Sequence, residues 1–195
     1  LAMAVAGGLL ADRMAWVFVA GYQSAIRRTF PNETFGGWGA FAVSEDRKGH
    51  PPLAGVSLRR SATGGLVSGH KTWVACSESI EHLVIKVGAG KTAGYYHIPR
   101  NSVGLVIANK NPPAKSNSFL AEMSQGVAHM KDVLVKSELD QSEVAHFGIR
   151  ESLYIYAAFC AFAGQYFSEL LTVDDCANLI DRLAKLVENL PSDQA

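Results

Sequence analysis

The sequence lacks an excess of charge of either sign, because 18 lysines and arginines are balanced by 18 aspartates and glutamates in 195 residues. A nucleic-acid surface usually requires a basic excess, and a solvating arm requires a run of acidic residues. Nucleic acid is therefore not expected as a partner. Disorder is also excluded, since 48% of the residues are hydrophobic and 18% are charged, which predicts a chain with a core.

Cysteine is scarce, and the three that occur, Cys76, Cys160 and Cys176, form no CxxC pair. An odd number without paired spacing argues against a disulfide framework. Free thiols favour a reducing compartment, so a cytoplasmic location is predicted. Cys160 and Cys176 fall within helical patterns and are predicted to be core residues.

Long hydrophobic runs are missing as well. No stretch of about 18 uninterrupted apolar residues occurs, so no membrane partner is expected. Residues 1–10 are apolar, but they have no basic leader and their pattern continues through Asp12 and Arg13. These features predict a helix rather than a signal peptide.

Several catalytic signatures are absent from the sequence. It contains no HExxH and no GxSxG, and the six histidines show no paired spacing, so no metal is predicted. The histidines are interpreted as surface or hydrogen-bonded core residues. Gly64-Gly65 is interpreted as a hairpin turn, because neither a helix nor a Lys-Ser/Thr pair follows it.

What is present is a helix–strand–helix order. Apolar residues recur every three to four positions from Leu9 to Arg28, which predicts a helix that Pro31-Asn32 ends. Residues 149–171 are apolar on nearly all sides, which indicates a helix that its own chain does not fully cover. Thr172 to Asp175 resembles a helix cap, and the apolar stripe that follows predicts a last helix up to Leu190.

The middle of the chain has the pattern of closely spaced strands separated by turn residues such as Ser68-Gly69. The predicted strands are Phe41–Ser44, Val56–Arg60, Lys71–Cys76, His82–Val87, Tyr95–Ile98, Val103–Ala108, Ser118–Glu122 and Asp132–Lys136. Such spacing predicts an antiparallel barrel or sandwich. The expected class is α+β, with a helical segment at 1–34, a β-domain at 35–138 and a second helical segment at 139–195.

Two of these apolar segments are informative when they are considered together. Phe41-Ala42-Val43-Ser44-Glu45 and the later Lys71-Thr72-Trp73-Val74 together resemble the middle domain of the acyl-CoA dehydrogenase family, in which both segments hold the isoalloxazine ring of FAD. The resemblance implies an aromatic contact from Phe41, a backbone contact from Val43, and a hydroxyl and amide from Ser44 on the ring's pyrimidine edge. A flavin held by an apolar wall and a few backbone donors is consistent with that scheme.

The resemblance weakens in the following loop and returns in the next strand. Gly49 matches the glycine of the family's Gly-Ser-Asp loop, whereas His50 and Pro51 replace its serine and aspartate. Trp73 matches the tryptophan against the flavin, and Val74 the wall residue after it. Ala75 replaces a threonine that hydrogen-bonds flavin N5 in the family. One lost bond of this kind costs on the order of 1 kcal/mol.

The resemblance covers roughly residues 9 to 170 and implies an FAD-dependent oxidoreductase acting on the CH–CH bond of an acyl thioester. Most of both helical domains of the family are missing. The candidate for the catalytic base is Glu151. The alternative interpretation is a carboxylate at the start of a helix, where the helix dipole favours a negative charge. Two further functions stay open: a catalytically inactive scaffold or assembly subunit, and a flavin-dependent monooxygenase. A homo-oligomer through residues 149–190 is expected, because that surface carries more apolar residues than the chain covers.

Overall fold

The computed structural model describes residues 1–31, 36–46, 48, 52–61, 64–110, 121–136, 138–167 and 169–190. The chain divides into two compact units. One unit contains helices from both ends of the chain, and the other contains the strands of the middle. The predicted α+β class is confirmed.

The helical unit is built from α1 (Ala2–Leu10), α2 (Met14–Thr29), α4 (Phe147–Tyr166) and α5 (Val173–Glu188), with a short α3 (Gln141–Ala145) before α4. The prediction of one continuous helix from Leu9 to Arg28 is wrong at its N-terminal end, because Leu9 and Leu10 belong to α1. The backbone is extended at Ala11 and at Arg13, so that α1 and α2 are separate helices. The break lets both helices pack on α4 within this unit.

Glycines on α1 and α2 allow the close packing against α4. A Cβ at Gly8 would collide with the backbone of Ala158, and one at Gly21 would collide with the backbone of Ile155. Around these contacts the core is made of small and aromatic side chains, including Tyr22, whose ring meets Phe147 edge-on at 6.0 Å. Any side chain larger than hydrogen at position 8 or 21 would push the helices apart.

Helices α4 and α5 leave much apolar surface uncovered. α4 buries Tyr154, Ala157 and Ala158 but exposes Tyr156 and Phe159. α5 buries Cys176 among its described side chains, while Leu179 and Leu186 are exposed. Among the described residues, no helix combines the length and the apolar character needed to cross a membrane.

The β unit contains two sheets. Its strands are β1 (Trp38–Ala42), β2 (Ser57–Ser61), β3 (Gly64–Ala75), β4 (Ile80–Val87), β5 (Gly94–Pro99), β6 (Leu105–Asn109) and β7 (Gln125–Val135). The first sheet has the order β1-β4-β5, with β1 parallel and β5 antiparallel to β4. The second sheet has the order β2-β3-β7-β6 and is antiparallel throughout. The strands that the structure describes do not close into a barrel.

Two details of the strand prediction need correction. Ser68-Gly69 is not a turn but lies inside β3, where the register with β7 shifts. Gly69 has φ +130°, and a Cβ there would collide with the carbonyl of Gly55, so the irregularity needs glycine. The predicted strand Ser118–Glu122 lies largely outside the described residues, and its last two residues form a turn.

Candidate functional site

The two segments that carried the family resemblance lie side by side in the β unit. The amide of Thr72 donates to the carbonyl of Ser44 over 2.9 Å. Lys71 Nζ donates to the carbonyl of Val43 over 3.1 Å. These contacts join Val43 and Ser44, which follow β1, to Lys71 and Thr72 of β3, although the two segments are far apart in the chain.

A buried ion pair reinforces this junction. Lys71 Nζ lies 2.6 Å from Glu45 Oε1, with side-chain exposures of 1% and 13%. The same carboxylate oxygen accepts a hydrogen bond from the amide of Val56 over 3.1 Å. A lysine this deeply buried requires a charged partner and further acceptors, which Glu45 and the Val43 carbonyl supply. Sequence reasoning quoted both residues as parts of the motif but gave neither a role.

The first segment presents accessible groups. Phe41 is half-buried in β1, and its ring lies 5.9 Å from that of Tyr95 on β5. Val43 is 40% exposed, and Ser44 is exposed as well. Both residues follow the end of β1, where strand pairing no longer covers them. A ligand can therefore reach the side chains of Val43 and Ser44.

The second segment is more buried. Trp73 is half-buried, and its Nε1 donates to Gln125 Oε1 over 3.1 Å. Val74 and Ala75 are fully buried within the β unit, where they pair with β7. Of these three predicted cofactor contacts, Trp73 is the one whose side chain retains exposed surface.

The remaining predicted site residues lie elsewhere. Gly49, expected in the loop after Glu45, lies outside the described residues. Glu151 belongs to the helical unit as the fifth residue of α4, which has no acidic residue in its first turn. Burial raises the pKa of Glu151, so the interpretation as a helix-start carboxylate stabilised by the dipole does not describe its environment.

An open cleft of about 460 Å³ adjoins the junction of the two segments. It is lined by Val43, Glu45, Asp46, Lys48, Lys71, Lys86, Gly88 and Ala89. The cleft therefore mixes the exposed apolar side chain of Val43 with charges of both signs. Such a mixture suits a polar ligand that also has an apolar part.

Burial makes two of the cysteines less reactive. Burial raises the pKa of Cys76 to about 12, so this thiol is protonated and unreactive at neutral pH. The pKa of Cys160 is raised by burial and, to a smaller extent, by Cys176. Within the described ranges, no three His, Cys, Asp or Glu side chains converge as metal ligands.

The structure does pair histidines, which the sequence did not indicate. His82 Nδ1 lies 3.0 Å from His97 Nε2, and the rings of His70 and His129 meet edge-on with centroids 4.7 Å apart. Each pair joins two strands, so its members are distant in the chain. No spacing rule for neighbouring residues could have found them.

Comparison with proteins of known structure identifies the fold. No family model and no curated protein matches the sequence. The structure matches the prolyl acyl carrier protein oxidase AnaB with a TM-score of 0.63 at 11% identity, over 93% of this chain and 59% of that protein. It also matches a glutaryl-coenzyme A dehydrogenase in complex with glutaryl-CoA, with a TM-score of 0.53 at 14% identity, over 90% and 53%.

A third match is the oxygenase component HpaB of 4-hydroxyphenylacetate 3-monooxygenase, with a TM-score of 0.51 at 14% identity, over 95% of this chain and 49% of that protein. The fold is that of the acyl-CoA dehydrogenase-like FAD enzymes, and the resemblance inferred from the sequence is confirmed at this level. The chain spans less than two thirds of the length of each of these three proteins.

Proposed function

We propose that this chain is an acyl-CoA dehydrogenase-like flavoprotein that binds FAD and oxidises the CH–CH bond of an acyl thioester. The observation that carries the proposal is the junction of the two motif segments through Ser44, Thr72 and the Lys71–Glu45 pair, in a chain with this fold. The predicted segments 1–34, 35–138 and 139–195 are then the helical, β and helical parts of such an enzyme.

The residues present fit one edge of a flavin. Val43 would supply an apolar contact and a backbone group, Ser44 a hydroxyl, and Trp73 and Phe41 aromatic contacts. Ala75 has no hydroxyl to offer, and its side chain lies in the core. When bound, FAD would supply the electron-accepting chemistry, while these side chains would orient its ring.

Glu151 is the proposed base for removal of the α-proton. A half-buried carboxyl whose pKa is raised by burial is typical of general bases, because such a group holds a proton more tightly than an exposed carboxylate. Substitution Glu151→Gln is expected to abolish thioester oxidation without weakening FAD binding. Loss of both together would point to a structural role.

The test of the cofactor is a titration of the purified protein with FAD, followed by flavin absorbance and fluorescence. We expect saturable binding that Trp73→Ala and Ser44→Ala each weaken. The matched controls are Trp16→Ala and Ser57→Ala, which lie outside the two segments and should leave the affinity unchanged. Failure of the wild-type protein to take up added FAD would rule out the oxidoreductase function.

A catalytically inactive scaffold of the same fold is the second candidate, and the buried Ala75 favours it because the flavin N5 partner is missing. Turnover of an acyl thioester with an artificial electron acceptor would contradict it. We also propose that the protein is cytoplasmic and assembles with copies of itself through the apolar surface of residues 149–190.

A further inference from the structure

We propose that His70 and His129 form a binding site for a divalent transition-metal ion on the sheet β2-β3-β7-β6. The two imidazoles lie on neighbouring strands of the β unit, and together they offer two nitrogen ligands to one ion. This site is independent of the proposed flavin chemistry, because it rests on the register of β3 and β7 and on the hydrogen bonding of the two rings.

The strand register places the two histidines directly opposite each other. His70 of β3 pairs with His129 of the antiparallel strand β7. Residues in direct register have their Cβ atoms about 4.5–5.5 Å apart on the same face of a sheet. On the other side of β7, the residue in register with His129 is Val106 of β6, which adds neither a ligand nor a charge. The pairing of β3 with β7 therefore fixes how far apart the two ligands begin.

The hydrogen bonds of His70 orient its ring as a metal ligand. Its Nδ1 lies 3.1 Å from the carbonyl oxygen of Ala54, and the same carbonyl accepts from the His70 amide over 3.0 Å. Since a carbonyl can only accept, Nδ1 carries the proton, and in the neutral ring the lone pair is on Nε2. Histidines that bind metals commonly donate their other ring nitrogen to such a group, which fixes the tautomer and the ring orientation.

The ring of His129 is able to supply the second ligand. Burial and, to a smaller extent, the neighbouring His70 lower the pKa of His129, so this ring is neutral at pH 7.5 and retains a lone pair. Within the described part of the chain, no group is hydrogen-bonded to the His129 ring, so it can turn toward an ion without breaking a bond. Both side chains are half-buried, which lets water reach the ion and complete its coordination.

The separation of the two rings suits one shared ion. Two imidazole nitrogens at about 2.0–2.1 Å from an ion, with an angle of about 90–110° between them, place the ring centroids about 4.5–5.2 Å apart. The centroids of His70 and His129 are 4.7 Å apart. The angle of 87° between the planes does not oppose binding, because a ring can rotate about its metal–nitrogen bond. Imidazole is a preferred ligand of Zn²⁺, Ni²⁺ and Cu²⁺.

The other histidine pair provides the contrast. His82 Nδ1 and His97 Nε2 are 3.0 Å apart, so one ring donates a proton to the other and the two facing nitrogens are already engaged. An ion could bind there only after that hydrogen bond is broken. The His82–His97 pair is therefore not expected to bind the ion, although it is made of the same residue types on neighbouring strands.

The test is isothermal titration of the full chain with Ni²⁺ at pH 7.5. We expect one ion per chain, and at least about tenfold weaker binding in both His70→Gln and His129→Gln, because loss of even an outer-shell partner costs about 10- to 100-fold in affinity. The matched control His97→Gln should bind like the wild type, and Mg²⁺ should not bind, since it prefers oxygen ligands. A wild type that binds no Ni²⁺, or equal affinity in the wild type and in both variants, overturns the proposal.

A second measurement uses the wild-type protein and so does not depend on the folding of variants. Substoichiometric Cu²⁺ should broaden the amide NMR signals of residues 69–71 and 128–130 before those of residues 81–83 and 96–98, which flank the other pair. If the signals of the second group disappear first, the ion binds elsewhere and the proposal is wrong.

Discussion

Lys71 is a charged side chain in a strand position that would ordinarily hold an apolar one. It is 1% exposed and donates hydrogen bonds to Glu45 and to the carbonyl of Val43. Replacing a well-paired buried ion pair as a whole often costs little, whereas removing one partner leaves an uncompensated charge. Its role is therefore positional, because it fixes the end of the first motif segment against β3.

Substitution Lys71→Met is expected to lower the free energy of unfolding by about 3–5 kcal/mol, since the buried carboxylate of Glu45 would lose the cation that neutralises its charge. Glu45→Gln should cost a comparable amount. The double variant should be more stable than the sum of the two losses predicts, as measured by urea unfolding in a double-mutant cycle. Additivity within about 0.5 kcal/mol would show that the two groups do not interact.

Glu151 provides a pH-dependent test at the same scale. Because burial raises the pKa of its carboxyl in the folded protein, the folded state binds its proton more tightly than the unfolded chain. The contribution to stability is full below the unfolded pKa of about 4.3 and is lost as the pH rises through the folded pKa.

Substitution Glu151→Gln should therefore increase the free energy of unfolding at pH 7.5 and leave it nearly unchanged at pH 4. Urea unfolding of wild type and variant at both pH values measures this difference. The exposed Glu188, changed to Gln, controls for removal of a surface carboxylate. A wild type that is more stable than Glu151→Gln at pH 7.5 would contradict the argument and indicate a partner for the carboxylate.

At the scale of elements, α5 begins with a well-formed cap. Thr172 Oγ1 accepts from the amide of Asp175 over 3.1 Å, and Asp175 Oδ2 accepts from the amide of Thr172 over 3.3 Å. This reciprocal pair is a capping box, and it satisfies amides that the first turn would leave unpaired. The sequence predicted this start correctly, because capping is a local interaction.

Substitution Thr172→Ala should destabilise α5 by about 1 kcal/mol. Hydrogen exchange of the amides between Val173 and Glu188 should accelerate accordingly, while exchange in β3 and β7 stays unchanged. Thr172→Ser, which keeps the hydroxyl, is the matched control. Equal protection in the alanine and serine variants would show that the cap does not limit the stability of the helix.

The strands show where local patterns stop being informative. Of the eight predicted strands, the first six each overlap an observed strand in the order expected, and the eighth overlaps the end of β7, while the seventh lies largely outside the described residues. Gly69 was interpreted as a turn residue because glycine is common in turns, yet it serves an irregularity inside β3. The division into two sheets, with β1 parallel to β4, follows from long-range pairing and has no signature within a short window of sequence.

At the scale of the whole molecule, each unit buries its own core, and the helical unit carries exposed apolar side chains. Leu170, Leu179 and Leu186 are 82%, 41% and 56% exposed. Exposed apolar surface on this scale is typical of a site that binds another protein. A second copy of the chain is the proposed partner.

Sedimentation velocity at micromolar concentration should give a mass above the 20.9 kDa of one chain. Leu179→Glu together with Leu186→Glu should shift the protein to the monomer, because two charges would have to be buried. Val103→Glu, at a 92% exposed position of the β unit, is the control and should not change the mass. A monomeric wild type would refute the proposed assembly.

The sequence by itself determined the α+β class, the order of helices and strands, and the two segments that resemble the flavin-binding strands, because periodicity, caps and motifs are properties of neighbouring residues. Only the tertiary structure decided that Lys71 pairs with Glu45, that Ala75 is buried while Ser44 is exposed, and that His82 faces His97. Those facts depend on contacts between residues far apart in the chain. They form when strands pair and apolar surface is buried, which no local pattern records.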